Sequence, residues 1–273
     1  MLVLFQNKLI YLPYIPLGAR KERLTSQHAL SMDIREVTVT ARDGTLLRGL
    51  VAQKKNDEYS SQNVLVYFQG NAGNMIHRVP LFQLLISSIP NLTIVGIGYR
   101  GFGGSDGRPS EKGLQADALS ILKYVKTEFP LQSLYLYGHS LGGSVALYLA
   151  STEEARNSTQ LRGLIVENTY TSIEDMVMAL YGKYTPYPYI AKYCLWNKWE
   201  SNKVISKVHL PILFLSSQKD EIVPKEHMSM LFENATNSSS KTFVKFKHSM
   251  HMDMFAKEPR AFITAIRDFT NLK

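Results

Sequence analysis

The stretch that most limits what this chain can become is Tyr135-Leu136-Tyr137-Gly138-His139-Ser140-Leu141-Gly142-Gly143-Ser144. An apolar, aromatic run reads as a buried strand, Gly-x-Ser-x-Gly follows, and Val145 to Ala150 reads as a helix. Small residues on both sides let a strand turn sharply into a helix. The serine hydroxyl then stands out above the sheet edge, and the helix N-terminus beneath it favours developing negative charge. Ser140 is therefore a candidate nucleophile. A turn that only packs a helix against a sheet would carry the same pentapeptide, so its context and its downstream partners must decide.

The rest of the chain has the rhythm such a turn needs. Glu36 to Thr40 and Thr45 to Ala52 flank Asp43-Gly44 as strand, hairpin turn and strand, and Lys54 to Asn63 is a polar loop. Val64 to Phe68 is a strand, His77 to Ser88 a helix, Leu92 to Ile97 a strand, and Ser110 to Glu128 a helix with Ser110 as its N-cap. Beyond the elbow come strands at Leu161–Val166, Pro211–Leu215 and Lys241–Phe246, a helix at Pro224–Asn234, and a closing helix at Asp253–Leu272. Alternating strands and helices predict one α/β domain over residues 36–273, with a mostly parallel eight-stranded sheet, helices on both faces and an antiparallel edge at its start. The 273 residues suit one such domain and are too few for two. The rhythm breaks between Asn168 and Lys203, where eight aromatic residues fall between Tyr170 and Trp199. This insert, about 168–203, is expected to cap a pocket at the carboxyl ends of the strands. The alternative is that its rings only glue an excursion to the body.

Composition excludes several classes. Thirty-one basic and 23 acidic residues give +8, but no basic run of five or six occurs, so nucleic acid is not expected and contact with an anionic membrane surface is. The single cysteine, Cys194, rules out an internal disulfide and a multi-cysteine zinc site. At the N-terminus, Met1–Phe5 and Leu9–Leu17 are each too short to span a bilayer, and Pro13 and Pro16 interrupt the second. Residues 1–35 therefore read as an arm that can contact a membrane, with Arg20, Lys21 and Arg23 following its apolar part, and not as a transmembrane helix or signal peptide.

Gly96-Ile97-Gly98-Tyr99-Arg100-Gly101 imitates a dinucleotide fingerprint, but Phe102 to Pro109 cannot open the helix that would hold a pyrophosphate. A serine needs an imidazole to take its proton and an acid to orient the imidazole. In the α/β-hydrolase arrangement to which such an elbow belongs, these follow in the order serine, acid, histidine. Of His227, His248 and His251, the first sits inside a helix, and the other two lie after the last strand, where the base belongs. His251 is preferred, because its longer loop reaches back over the sheet edge and Asp253 begins the next helix as a cap. A metal reading of His248-x-x-His251-x-Asp253 lacks a third histidine and a helical context. Asp220 is the favoured acid, on the loop after the strand Pro211–Leu215, with Glu167 and Glu221 as rivals. An oxyanion formed at Ser140 needs two backbone N–H donors, assigned to Leu141 and, from the loop Gln69–Gly73, to Asn71, with Ala72 next.

Phe68-Gln69-Gly70-Asn71-Ala72-Gly73-Asn74, Tyr99-Arg100-Gly101-Phe102-Gly103-Gly104-Ser105, Pro109-Ser110-Glu111, Gly138-His139-Ser140-Leu141-Gly142-Gly143 and Glu167-Asn168-Thr169-Tyr170-Thr171-Ser172-Ile173 resemble the bud-emergence-type serine hydrolases, the group of α/β-hydrolase domain-containing protein 13. The likeness runs in order from about Gln6 to the end. It implies an α/β-hydrolase fold, supports Ser140, Asp220 and His251, and disfavours His248, because the family's histidine precedes an aspartate by two places, as His251 precedes Asp253. It departs at Gln69, where the family usually has histidine, and at Ser249 or Met250, where a glycine is usual. The resemblance implies a serine hydrolase that cleaves acyl esters or thioesters, including palmitoyl thioesters of lipidated proteins, in a membrane-associated endomembrane or cytoplasmic setting; the expected mechanism uses no cofactor or metal, and a monomer is expected. The competing reading from another class is a non-catalytic interaction protein on the same scaffold.

Overall fold

The computed structural model describes residues 5–25, 32–55, 62–182 and 184–270. Eight strands form one sheet: β1 (Met32–Thr40), β2 (Leu46–Lys54), β3 (Asn63–Phe68), β4 (Leu92–Ile97), β5 (Ser133–His139), β6 (Leu161–Glu167), β7 (Ile212–Ser217) and β8 (Lys241–Phe246), in the order β1-β2-β4-β3-β5-β6-β7-β8. β1 pairs antiparallel with β2 and β2 antiparallel with β4, while every pair from β4 to β8 is parallel. The expected antiparallel edge and parallel body are both present.

Period-two alternation divides the core. Val64, Val66 and Phe68 of β3 join Leu136 and Val166 on one face, packed by the helices Glu111–Glu128 and Leu141–Ser151. Leu65 and Tyr67 join Tyr137 and Ile165 on the other, packed by Val79–Ser88 and Pro259–Thr270. β3 to β7 are buried on both sides, so their apolar runs are continuous, whereas β8 is largely exposed at the edge.

Local boundaries differ from the sequence expectation where proline and capping chemistry intervene. The helix expected from His77 begins as a 3-10 turn, Met75–Arg78, in which the Asn74 side chain accepts from Ile76 N and His77 N, and Pro80 then falls in the first turn of Val79–Ser88. The helix expected from Pro224 starts at Glu226. The single closing helix is two, Met254–Lys257 and Pro259–Thr270, because Pro259 cannot donate the bond that would continue the first. Leu272 lies outside the described residues, as do Met1–Leu4 of the apolar terminus and residues 56–61 of the polar loop. Ser110 caps its helix as expected, accepting from Gly113 N at 3.2 Å.

The described part of the N-terminal segment packs onto the body. Tyr11 is buried; its hydroxyl donates to Asn197 Oδ1 (2.9 Å) and accepts from Trp199 Nε1 (3.0 Å). Asn197 Oδ1 also accepts from Glu111 N, and the Glu111 carboxylate accepts from Lys198 N and Trp199 N. This network ties the arm, the end of the aromatic insert and the start of one helix into a single corner. Of the insert's aromatics, Tyr170 and Trp199 at its two roots are buried and act as glue. The others are exposed, on the helices Ile173–Tyr181 and Pro186–Cys194 or, for Tyr184 and Trp196, just outside them.

Candidate active site

β5 occupies the middle of the sheet between β3 and β6, and Ser140 directly follows it. Its backbone is forced to φ 54°, ψ −120°, a region costing a non-glycine residue on the order of 1–3 kcal/mol. Three hydrogen bonds hold it there: Ser140 N donates to Glu167 O (2.9 Å), and Ser140 O accepts from Gly143 N (2.9 Å) and Thr169 Oγ1 (2.7 Å). At about 1 kcal/mol each, they offset the strain. Glycine is required around the turn because backbone meets backbone: a Cβ on Gly142 would lie 2.0 Å from Phe68 O, and one on Gly138 2.2 Å from Gly142 O.

That contact also brings in the loop after β3. A Cβ on Gly70 would stand 3.6 Å from Ser140 Cβ, so the loop passes beside the candidate nucleophile. Asn71 is fixed by its side chain donating to Ile10 O (3.0 Å) and its carbonyl accepting from Leu12 N (2.7 Å), which clips the N-terminal arm to the loop. Leu141 N heads the helix Leu141–Ser151, where amides have no intrahelical acceptor.

Asp220 and His251 meet across two loops. His251 Nδ1 donates to Asp220 Oδ2 at 2.8 Å, and both side chains are almost fully buried. Asp220 Oδ1 accepts from Ile222 N (2.9 Å) and Val223 N (2.8 Å), so the carboxylate is orientated by its own loop. An acceptor at Nδ1 keeps the proton there and leaves the Nε2 lone pair free to act as a base. Ser140, His251, Asn71 and Leu141 all line one cavity of about 840 Å³. The other candidates lie elsewhere. His248 is exposed, His227 is buried against the Thr171 hydroxyl (2.8 Å), and the Glu167 carboxylate accepts from Tyr137 OH. Burial pushes Glu167 up to about 7.

Several residues that sequence reasoning passed over hold the histidine loop. Asn168, at φ 45°, directly follows β6 as Ser140 follows β5. Its Nδ2 donates to His251 O (3.1 Å) and Ser217 Oγ (3.0 Å), and its Oδ1 accepts from Ser217 N (2.8 Å). His139 Nε2 donates to the same His251 carbonyl at 3.0 Å, and burial holds this imidazole well below its usual range, hence neutral. Glu221, a rival for the acid in the sequence, instead accepts from the backbone His251 N (2.9 Å). Glu258 accepts from His248 N, Ser249 N and Ser249 Oγ, which explains how the loop does without the usual glycine: neither Ser249 nor Met250 has a positive φ. Asp253 stands at the N-cap position of the following helix as expected, but its side chain does not cap it; Oδ1 instead accepts from Met250 N at 2.7 Å and braces the same loop. Gln69, the other departure, is fully buried with its side-chain amide unpartnered, while its carbonyl accepts from Tyr99 OH (2.9 Å).

The α/β-hydrolase fold family matches residues 63–184. Protein bem46 of Schizosaccharomyces pombe is 37% identical over 258 residues, covering 91% of this chain and 81% of its own. The chain belongs to the bem46-type α/β hydrolases. A second relative, the lysophosphatidylserine lipase ABHD12 of Danio rerio, is 31% identical over 210 residues, covering 69% of this chain and 53% of its own. Among solved structures, the Pyrococcus furiosus esterase Pf2001 superposes with a TM-score of 0.71 at 15% identity, covering 91% of this chain and 95% of its own, a likeness of fold. This bem46-type member thus has a protein named as a lipase among its sequence relatives. Among its described residues no helix is long and apolar enough to cross a membrane.

Proposed function

We propose that the protein is a serine hydrolase of carboxylic esters or thioesters working through an acyl-enzyme. The observation that carries this reading is the strained Ser140 facing one cavity with a His251 whose Nδ1 is bound by buried Asp220 at 2.8 Å. His251 Nε2 takes the proton as Ser140 Oγ attacks the acyl carbon, and the N–H groups of Leu141 and Asn71 receive the oxyanion. The tetrahedral species collapses as His251 returns the proton to the leaving alcohol or thiol. Water, deprotonated by the same imidazole, then releases the acid and restores Ser140. No step calls for a metal or cofactor.

The acyl group is proposed to be long-chain. The cavity walls are mainly apolar, from Ile10 and Ile15 of the arm to Met176, Leu180 and Ile190 of the insert, which acts as its cap, and the volume falls in the usual range for ligand pockets. Palmitoyl thioesters of proteins and oxygen esters of lipids both present such a chain, and the zebrafish relative is named for a lipid ester. Leu17, Tyr184, Tyr189 and Tyr193 stand exposed on the same arm and insert, which supports contact with a membrane surface.

A fluorophosphonate probe tests the nucleophile: the native protein is labelled and Ser140→Ala is not. Absence of labelling, or labelling undiminished in the variant, overturns the reading. Turnover of p-nitrophenyl esters and acyl thioesters from two to sixteen carbons tests the chain; rates that do not rise with length remove the long-chain assignment.

A further inference from the structure

The cavity that holds Ser140 and His251 contains an uncompensated charge. Among the described residues no carboxylate lines it, and Arg78 is the single permanent cation in that lining. Arg78 Nε is buried and has no hydrogen-bond partner, and among the described residues its guanidinium forms no ion pair. The neutral Gln69 amide and His139 Nδ1 are also buried without partners, but the other groups nearby that can carry a charge are paired. His77, one residue earlier, holds Glu22 and accepts from Asn74 N, and Arg100 is bound by Asp117 and Asp43. Nearby carboxylates are already engaged: Asp220 by His251 and two amides, Glu221 by His251 N, and Glu167 by Tyr137 OH.

Arg78 does not reach the cavity by a floppy tether. It ends the 3-10 turn Met75–Arg78, which Asn74 caps, immediately after the loop that passes beside Ser140. Its charge is felt at His139, which precedes the nucleophile, and at Glu167, whose carbonyl holds Ser140 N. A half-buried guanidinium left unpaired is unfavourable, and it is relieved when a ligand brings oxygens to its fork of donors.

We propose that Arg78 is an anion-binding residue of the acyl site and that the substrate is an anionic amphiphile: a long acyl chain against the apolar walls and, near the scissile bond, an oxyanion group held by the guanidinium. The shared chemistry is a phosphate or carboxylate. The proposal rests on the reading of Ser140 as nucleophile for the word substrate, but binding itself does not depend on turnover.

The test separates the two. Ser140→Ala protein is titrated in neutral detergent micelles with 1-oleoylglycerol, with 1-oleoylglycerol 3-phosphate, and with the oleoyl ester of glycolic acid. The expected result is at least tenfold tighter binding of one or both anionic compounds than of the neutral one. That preference is erased by adding Arg78→Gln and partly kept by Arg78→Lys. Should Arg78→Gln not fold, Arg78→Met, which preserves the packing of the stem, carries the comparison. Equal affinity for all three compounds, or a preference that survives loss of the charge, overturns the proposal. Comparison of the two anionic compounds tells phosphate from carboxylate. The Ser140 protein is assayed for turnover in parallel. An Arg78-dependent preference with no hydrolysis and no fluorophosphonate labelling leaves the anion site standing and removes the hydrolase; hydrolysis without an anionic preference does the reverse.

Discussion

Asn168→Ala separates the positioning of His251 from the proposed catalytic groups themselves. The native side chain makes three buried hydrogen bonds from a backbone at φ 45°. Removing it orphans Ser217 N, whose residue is fully buried, at about 1–3 kcal/mol. Holding alanine in the left-handed region costs roughly 1 kcal/mol more. The remaining losses are partly covered, since His251 O keeps His139 Nε2 and Ser217 Oγ still donates to Met250 O. The total is about 2–4 kcal/mol, a fall in Tm of roughly 5–10 °C for a chain of this size. Asn168→Gly removes the backbone strain but not the lost bonds and should recover about 1 kcal/mol. Calorimetry gives the stabilities, and the rate of fluorophosphonate labelling well below Tm reports whether His251 still activates Ser140; both should fall. A Tm within 2 °C of wild type together with an unchanged labelling rate would falsify this account of the loop.

Asp220→Asn should leave the fold intact and lower the labelling rate by about three to four orders of magnitude, because an amide no longer fixes the proton on Nδ1; stopped-flow or quench kinetics measure it. Gly142→Ala should lose more than about 3 kcal/mol, since its Cβ would meet only backbone, Phe68 O at 2.0 Å and Gln69 O at 2.7 Å, and a soluble variant with native Tm would refute that reading. Glu167 has its carboxyl raised by burial from 4.5 to about 7, so the folded state keeps a proton that the unfolded chain releases. Its contribution is full below about pH 4.5 and is lost as pH rises to about 7, on the order of 3 kcal/mol. Glu167→Gln, which still accepts from Tyr137 OH, should therefore gain on wild type between pH 4.5 and pH 8 in denaturant titrations, and a constant difference would count against it.

How much of this was legible in the sequence follows from what each signal depends on. The sheet was readable because β3 to β7 are buried on both faces, which writes each strand as an unbroken apolar run bounded by polar loops. The elbow was readable because backbone packs on backbone there and only glycine fits, a constraint on residue type that no distant contact can relax. Asp220 and His251 could be paired because each follows one of two neighbouring strands, β7 and β8, and their 2.8 Å contact needs no fine geometry to anticipate. Asn168, Ser217 and Glu258 were not readable, because their roles lie in side-chain bonds to backbone groups 9 to 83 residues away, and amides, hydroxyls and carboxylates in loops look the same whether they brace the His251 loop or cap a turn.

Arg78 lies between these cases. In the sequence it is one of 31 basic residues and nothing marks it. Its distinction comes from what is missing around it among the described residues: a cavity wall without carboxylates and a buried Nε without an acceptor. A surface arginine in the same state would mean nothing, because water supplies the acceptor. Inside an apolar cavity the unpaired charge must be matched by whatever enters, so the most informative feature about the ligand is an interaction the protein does not make with itself.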